Sequence, residues 1–469
     1  MHSQRTSEDG VKMMAGSTWR DITAPASPAQ RKFWEVHQLD PATNADNLLA
    51  VLSVPDGVTR RGVGAAVSQL TRRHEVLRTR FVLTGDDLLQ VVEVAADRMV
   101  DEVTLDGTPQ HVAAAAGETE LLRSTMDESF DLGRAPILRV VLVSFTRSVE
   151  RFVLVVTNHS IIDGWSFGIV QHELSELLEA EQQGARKDLG PVKQFRKVVA
   201  ERSLENPVIA KQHDYWVEKL AGVRPELSLP TARNKADVHR EALRDVPIEL
   251  RSHSWNDVMY QARRTTGASP TMLYIAVLAA SLAEFSVGEV VIGNVYCNRS
   301  TEPDRGVVGL LFNVLPLRIS LAGVSTIRDL IGRVRAVSLE GYAYGEVPME
   351  EVALSLGFGR AVVGGGSPLW EVAVNVIPQR NAGPATQLPP AFVRWLWSIR
   401  DSPVMECWDG RVLEMIALAG HQPGLGGGVI RYNSEVLAAA PAALVATRIA
   451  RLMLRLPTIL DEPLSSEVT

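Results

Sequence analysis

The sequence of 469 residues is too long for a single ordinary core, so it predicts two domains or one fold with two large lobes. With 46% hydrophobic residues, 22% charged residues and a net charge of −7, it excludes a global basic field that would attract nucleic acid or anionic lipid. The two cysteines, Cys297 and Cys407, lack the spacing of metal ligands. We therefore expect neither a disulfide framework nor a metal site, and a reducing cytoplasm fits.

Strands and helices alternate through the N-terminal part of the chain. Residues 1–18 are polar, without the apolar segment of a secretory signal, and predict a flexible tail. Ser27 followed by Pro28 predicts the start of a helix, since serine caps helices and proline suits their first turn. Further elements are predicted at 48–54 (strand), 60–77 (helix), 81–94 (strands), 111–127 (helix), 137–145 (strand) and 152–156 (an entirely apolar strand, hence buried on both faces).

A polar stretch at 181–191 predicts the boundary between two lobes, 19–185 and 186–469. The longest apolar run, Met272 to Ala283, is too short to cross a bilayer and predicts a buried helix. The elements predicted beyond the boundary are helices at 192–203, 206–220, 254–266, 271–285, 327–344 and 438–456, and strands at 246–250, 290–296, 403–419 and 429–433. Because strands and helices interleave in both halves, the predicted fold class is α/β or α+β.

The stretch TNHSIIDGWSFGIV, residues 157–170, contains two candidate active sites. Its Gly164-Trp165-Ser166-Phe167-Gly168 spells the G-x-S-x-G nucleophile elbow of serine hydrolases, with Ser166 as nucleophile and His421 available as a base. An elbow needs a strand that runs directly into its first glycine, whereas six residues separate Thr157 from Gly164. We favour Ser166 as a first-turn helix residue with Asp163 as the N-cap, and keep the hydrolase as an alternative.

The second candidate is His159, which follows the buried strand at the position where α/β folds usually place their chemistry. A neutral imidazole there can take a proton from an amine or an alcohol. Asp163 lies four residues on across a short turn, and Gly164 allows a tight turn and the close approach of a ligand.

NHSIIDGWS resembles the HHxxxDG motif of nonribosomal-peptide condensation domains. Other stretches resemble the segments of that family in the same order, and together they cover nearly all of the chain beyond the tail. They are SPAQRKFWEVHQLDP, RHEVLRTRF, FDLGRAPILRVVL, VVIGNVYCNRS, GVVGLLFNVLPLRI, YGEVPMEEVALSLG, SPLWEVAVNV and RYNSEVL. Such ordered agreement is far more specific than any single motif.

The resemblance implies two chloramphenicol-acetyltransferase-like lobes in a V-shaped pseudo-dimer, with a floor loop and a latch in the C-terminal lobe. It implies a tunnel between the lobes, where an amine or hydroxyl attacks an acyl thioester on a phosphopantetheine arm and forms an amide or an ester. It implies no permanently bound cofactor. The donor is carried by the phosphopantetheine of a carrier protein, or by coenzyme A.

The resemblance also implies partners. We find no adenylation region and no carrier domain in the sequence, so we expect a free-standing condensation enzyme that meets an acyl or peptidyl carrier protein in trans. The acceptor is a small-molecule amine or alcohol, or a second carrier protein. We expect no nucleic-acid partner, no membrane and a monomer.

By the resemblance, His159 matches the catalytic histidine of the family, as general base or as positioner of the nucleophile. Asp163 matches a structural aspartate that pairs with an arginine, here Arg299, and a carboxylate paired in this way is a poor proton acceptor. Gly164 leaves room beside the phosphopantetheine arm. Asn158 replaces the first histidine of the motif, and its amide can both donate and accept hydrogen bonds in that place.

Three further residues are candidates for the lining of the tunnel: Trp165 and Ser166 after the motif, and Asn375 on a later strand. Two alternatives remain within the superfamily. One is a coenzyme-A-dependent O- or N-acyltransferase, which shares H-x-x-x-D-G. The other is a non-catalytic recruitment domain, against which the retention of His159, Asp163, Gly164 and Arg299 argues.

Overall fold

The computed structural model describes residues 22–95, 100–109, 120–229, 243–248, 255–358, 367–378, 412–419 and 428–464. The predicted tail at 1–18 lies outside these ranges, as do residues 111–119 of one predicted helix and 403–411 of one predicted strand. His421 and Cys407 also lie outside them.

The chain divides into two compact units. The first contains the described residues up to Ser203 together with Arg299–Leu311, and the second contains those of 204–298, 312–378 and 412–464. The first unit extends past the boundary predicted at residue 185 because Gln194 donates to the carbonyl of Arg73 and Arg196 forms an ion pair with Glu75 at 2.8 Å. The assignment of two lobes stays a prediction.

The first unit contains a three-stranded and a four-stranded sheet, in the orders β1-β4-β3 and β2-β7-β6-β5. The strands are β1 (Ile22–Pro25), β2 (Asn47–Ser53), β3 (Thr79–Thr84), β4 (Asp87–Val92), β5 (Asp101–Leu105), β6 (Leu138–Phe145) and β7 (Ser148–Asn158). The helices are α1 (Pro28–Leu39), α2 (Arg60–Arg73), α3 (Glu120–Asp127), α4 (Gly164–Gln182), α5 (Phe195–Glu201) and α9 (Glu302–Arg305).

The second unit contains a six-stranded sheet in the order β10-β9-β11-β12-β13-β8, in which β11 runs parallel to both of its neighbours. The strands are β8 (Leu243–Pro247), β9 (Glu289–Tyr296), β10 (Asn313–Ser320), β11 (Val372–Pro378), β12 (Leu413–Ala419) and β13 (Val429–Asn433). The helices are α6 (Pro207–Leu220), α7 (Trp255–Thr266), α8 (Pro270–Leu282), α10 (Ile327–Ala343), α11 (Met349–Ser355) and α12 (Ala439–Arg455). Helix α8 is buried from Met272 to Leu282 and packs against α10 and α12.

Local sequence chemistry explains where the elements that carry the site begin. The side chain of Ser27 accepts a hydrogen bond from the backbone of Gln30 and the side chain of Gln30 returns one, so a capping box starts α1. Strand β7 lies between β2 and β6 and is buried from Phe152 to Asn158, as the apolar run predicted. Helix α2 ends at Arg73, earlier than predicted, and a 3₁₀ turn follows at Glu75–Arg78.

Candidate active site

The end of β7 holds the motif in place through its neighbour β2. Asn158 is the last residue of β7 and pairs in register with Asn47, the first residue of β2. The backbone amide of His159 then donates to the carbonyl of Asp46 at 2.8 Å, which extends the pairing by one residue. The backbone of His159 is therefore fixed to the residue that precedes β2.

The imidazole of His159 is buried, with 4% of the residue exposed, and it stacks on Phe33 of α1. The two ring centroids are 5.2 Å apart and the planes are within 10° of parallel. Burial disfavours the cation and holds the pKa of His159 below its usual value, although Asp46, Asp163 and nearby backbone carbonyls act in the opposite direction. The ring is therefore neutral at neutral pH, which is the form that accepts a proton.

The structure brings Asp163 and Arg299 together as a buried bidentate pair. The guanidinium donates to both carboxylate oxygens, at 2.9 and 3.0 Å, and the side chains are 3% and 0% exposed. The backbone amides of Ser166 and Leu311 also donate to the carboxylate, at 2.8 and 2.9 Å. Burial raises the pKa of Asp163, but Arg299 and the two amides outweigh it and hold that pKa below its usual value. Asp163 therefore remains an anion that fixes the turn and does not take protons.

Ser166 lies in the first turn of α4, whose N-cap is Asp163, and its residue is fully buried. Its hydroxyl oxygen accepts from Arg299 at 2.5 Å and from the amide of Gly309 at 3.0 Å, and the hydroxyl donates to the carbonyl of Gly309 at 2.8 Å. These bonds use the hydrogen-bonding capacity of a serine hydroxyl. Strand β7 ends at Asn158 and does not run into Gly164, so the geometry of a nucleophile elbow is not formed.

Asn158 has a structural part in the turn. Its side-chain oxygen accepts from the backbone amide of Ser160 at 2.9 Å, and its side-chain amide lies 3.5 Å from the side-chain oxygen of Asn47. Asn47 in turn donates to the carbonyls of Met126 and Glu128. Asn158 therefore both accepts and donates hydrogen bonds at the end of β7, and Asn47 extends the connection to the end of α3.

The remaining predicted residues lie in different surroundings. Gly164 is exposed, and a Cβ added there would meet no atom within 4 Å, so there is open space at the start of α4. Trp165 is half-buried and its indole donates to the carbonyl of Arg305 at 3.1 Å. Asn375 is half-buried in the middle of β11, opposite Ile416. For Trp165, Ser166 and Asn375 a role in a tunnel stays a prediction.

Two contributors to the site were not predicted from the sequence, namely Phe33 and Asp46. Phe33 lies on α1, and His37 follows it by one helical turn. His37 is buried, and its Nδ1 has no hydrogen-bond partner in the described part of the chain. It lines a groove of about 630 Å³ whose other side is formed by residues 128–136 and Arg139. The four-residue spacing of Phe33 and His37, close to one helical turn, is the sequence signal that identifies this face of α1.

We expect the free energy of unfolding to fall as the pH drops below about 6.5, the ordinary pKa of histidine. Burial lowers the pKa of His37 and of His159, so both stay neutral in the fold where the unfolded chain is already protonated. Because the unfolded state then binds more protons, each histidine contributes a slope of up to about 1.4 kcal/mol per pH unit between 6.5 and its lowered pKa.

Urea unfolding at a series of pH values measures this slope. His37→Gln should reduce it, whereas His172→Gln, at an exposed position on α4, should leave it unchanged. A slope that is the same in His37→Gln and in the unchanged protein would contradict the assignment.

Within the described ranges, no group of three or more His, Cys, Asp or Glu residues could hold a metal ion. No single described helix is long and apolar enough to cross a membrane, and one bent pair, Asp257–Thr266 with Pro270–Phe285, passes that test only when its two helices are taken together.

The fold and the motif define a class of protein. The X-domain from teicoplanin biosynthesis superposes with a TM-score of 0.75 at 20% identity, over 94% of this chain and 96% of that one. The starter condensation domain of rhizomide synthetase RzmA, in a complex with C8-CoA, superposes with a TM-score of 0.68 at 18% identity, over 95% and 97%. At these identities the likeness shows the fold, and the predicted chloramphenicol-acetyltransferase-like α/β class is confirmed. The V-shaped arrangement of the lobes stays a prediction.

A family model described as Condensation domain matches residues 21–363, so the chain belongs to the condensation domain family. Phosphinothricin tripeptide synthetase PhsC of Streptomyces viridochromogenes is 29% identical over 386 residues, which are 80% of this chain and 34% of that protein. Malpinin synthetase of Mortierella alpina is 28% identical over 364 residues, which are 75% of this chain and 4% of that protein. The chain thus spans about a third of the first relative and a small part of the second.

Proposed function

We propose that this chain is a condensation enzyme, which joins a carrier-bound acyl or aminoacyl thioester to an amine or hydroxyl acceptor. Condensation domains as a family form amide bonds from thioesters on phosphopantetheine arms. The observation that carries the proposal is the buried, neutral imidazole of His159, held at the end of β7 while Asp163 is committed to Arg299. An imidazole in this state accepts a proton from an incoming nucleophile.

The reaction follows from this arrangement. The nitrogen or oxygen of the acceptor attacks the thioester carbonyl carbon. The proton of the acceptor is transferred to the imidazole of His159, or stays on the acceptor in a hydrogen bond to that imidazole. The carbon–sulfur bond then breaks, and the phosphopantetheine thiolate leaves with that proton. The open space beside Gly164, at the N-terminal end of α4, offers the arm room for a close approach to the backbone. Because the acceptor attacks the thioester directly, the reaction passes through no covalent acyl-enzyme intermediate.

The donor class is supported by what a structural neighbour binds. The starter condensation domain of rhizomide synthetase RzmA is in a complex with C8-CoA, which carries an acyl group on a phosphopantetheine arm. We propose the same arm on an acyl or peptidyl carrier protein as the donor here, with coenzyme A thioesters as the alternative. The acceptor is a small-molecule amine or alcohol, or a second carrier protein.

The serine-hydrolase alternative is disfavoured by the surroundings of Ser166. A nucleophile needs an accessible oxygen and an adjacent base, whereas this hydroxyl is fully buried and bonded to Arg299 and Gly309. Recruitment without catalysis is a further alternative, and a reconstitution experiment tests it together with the proposed function.

Reconstitution tests the proposal directly. A panel of acyl and aminoacyl groups is loaded on a phosphopantetheinylated carrier protein, mixed with amine and alcohol acceptors, and analysed by mass spectrometry for products that depend on the chain. Ser166→Ala should keep product formation while it costs about 1–3 kcal/mol of stability, because Arg299 and Gly309 lose a buried partner. Labelling by a serine-reactive probe that disappears in Ser166→Ala would favour the hydrolase. Carrier binding without any product would favour recruitment.

A further inference from the structure

Asp46 is a buried acidic residue next to His159 that no part of the mechanism above uses. It precedes β2, and only 4% of the residue is exposed. Its carbonyl accepts from the backbone amide of His159, and the next residue, Asn47, pairs with Asn158. The backbone of Asp46 is thus bonded to the backbone of His159. The two side chains therefore project from adjacent positions, where β2 begins and β7 ends.

Asp163, the acid in the motif, is already bound by Arg299 and by two backbone amides. The two oxygens of Asp163 already accept from Arg299, Ser166 and Leu311, and the charge of Asp163 is balanced by that of Arg299. Of the two carboxylates whose charge acts on His159, Asp46 acts more strongly than Asp163. Asp46 therefore has the stronger electrostatic influence on the ring.

Two aromatic side chains of helix α1, those of Phe33 and His37, also bear on this site. Helix α1 supplies the apolar ring of Phe33, which fixes the plane of the imidazole. One turn further on, His37 is neutral at neutral pH because burial lowers its pKa, and it also experiences the charge of Asp46. Among the described residues, Asp46 before β2 and Asp163 before α4 are the carboxylates whose charge acts on His159, and Asp163 is paired with Arg299.

We propose that Asp46 is a positioning residue for His159, a buried carboxylate that stabilises the positive charge of the imidazole while the ring holds the proton of the nucleophile. A fixed anion near a histidine favours the imidazolium that forms in the transition state, and in a dry interior this effect is larger than in water. The inference rests on the proposed function for its catalytic consequence. Its electrostatic part concerns the free protein and stands independently.

The test compares Asp46→Asn with a matched control, Asp40→Asn. Both changes remove one negative charge near His37, because Asp40 and Asp46 both act on that residue, but only Asp46 also acts on His159. Histidine-selective ¹³C labelling follows the titration of each imidazole, and His159→Gln identifies the signal of His159. Asp46→Asn should move the titration of His159 to lower pH, while Asp40→Asn should leave it in place.

The kinetic readout is the pH profile of condensation. In Asp46→Asn we expect the acidic limb of kcat/KM to move to lower pH and kcat at its plateau to fall about tenfold, with KM changed less than twofold. A purely structural role would lower the melting temperature without moving either the titration or the limb, and would overturn the inference. If Asp46→Asn shifts the titration of His159 but the unchanged protein forms no product, the electrostatic role of Asp46 stands and the proposed function is rejected.

Discussion

Replacing His159 with alanine is expected to lower kcat/KM for condensation by about 10²–10⁴-fold, the usual contribution of a general base. The physical reason is that in the proposed reaction the neutral imidazole at the end of β7 accepts the proton, since Asp163 is held as an anion by Arg299. The rate is measured as product formed per enzyme from a carrier-bound thioester, under conditions in which uncatalysed aminolysis is subtracted.

The control is His172→Ala, which removes an exposed imidazole from α4 and should leave the rate within twofold, roughly the scatter of a neutral surface change. Circular dichroism on both variants separates loss of chemistry from loss of fold. His159→Gln, as a further variant, keeps a polar side chain at this buried position. A rate in His159→Ala within about tenfold of the unchanged protein would remove the imidazole from its role as base.

Replacing Arg299 with alanine is expected to reduce the free energy of unfolding by about 3–5 kcal/mol, because it leaves the buried carboxylate of Asp163 without its partner. The pair is 3% and 0% exposed, and Arg299 also donates to the hydroxyl of Ser166. Arg299→Lys should recover little of this loss, because an ammonium cannot form the two parallel hydrogen bonds of a guanidinium. Urea unfolding followed by fluorescence measures the difference.

Arg305→Ala is the matched control in the same segment. Arg305 pairs with Glu302 at 2.8 Å, but its side chain is 57% exposed and that of Glu302 is 82% exposed. Pairs of this kind contribute at most about 1 kcal/mol. Equal losses of stability in Arg299→Ala and Arg305→Ala would show that burial does not make the Asp163–Arg299 pair special. Activity of Arg299→Ala should fall together with its stability, since the same pair holds the turn after His159.

The local chemistry of the motif could be predicted from the sequence because it depends on neighbours along the chain. The distance from the end of the strand to Gly164 predicted that Ser166 belongs to a helix turn, and α4 begins at Gly164 with Asp163 as its N-cap. The apolar run at 152–156 predicted a strand buried on both faces, and β7 lies between two others. The α/β or α+β class came from the interleaving of strands and helices, and the chloramphenicol-acetyltransferase-like architecture came from the ordered resemblance, which no single segment could carry.

What the sequence did not predict depends on pairs of residues that are far apart in the chain. Nothing local indicates that Phe33 stacks on His159, or that the carbonyl of Asp46 accepts its amide, because both contacts arise from how α1 and β2 pack around the end of β7. Strand β10 was also not predicted. It contains Pro316, and a proline within a run of residues argues against a strand, although β10 lies at the edge of the sheet, where a proline is tolerated. The end of α2 was predicted too late for a local reason, because the 3₁₀ turn at Glu75–Arg78 continues the helical pattern past the end of the α-helix.

The ion pair under the motif also constrains the order in which the chain acquires its structure. Asp163 and Arg299 are 136 residues apart in sequence, and the amide of Leu311, 148 residues from Asp163, completes the same site. Closing so long a loop has an entropic cost that is recovered only when the contact forms. During synthesis on the ribosome, the turn that carries His159 therefore stays incomplete until residue 311 has emerged, and a chain truncated before that point retains an unpaired acid in its interior.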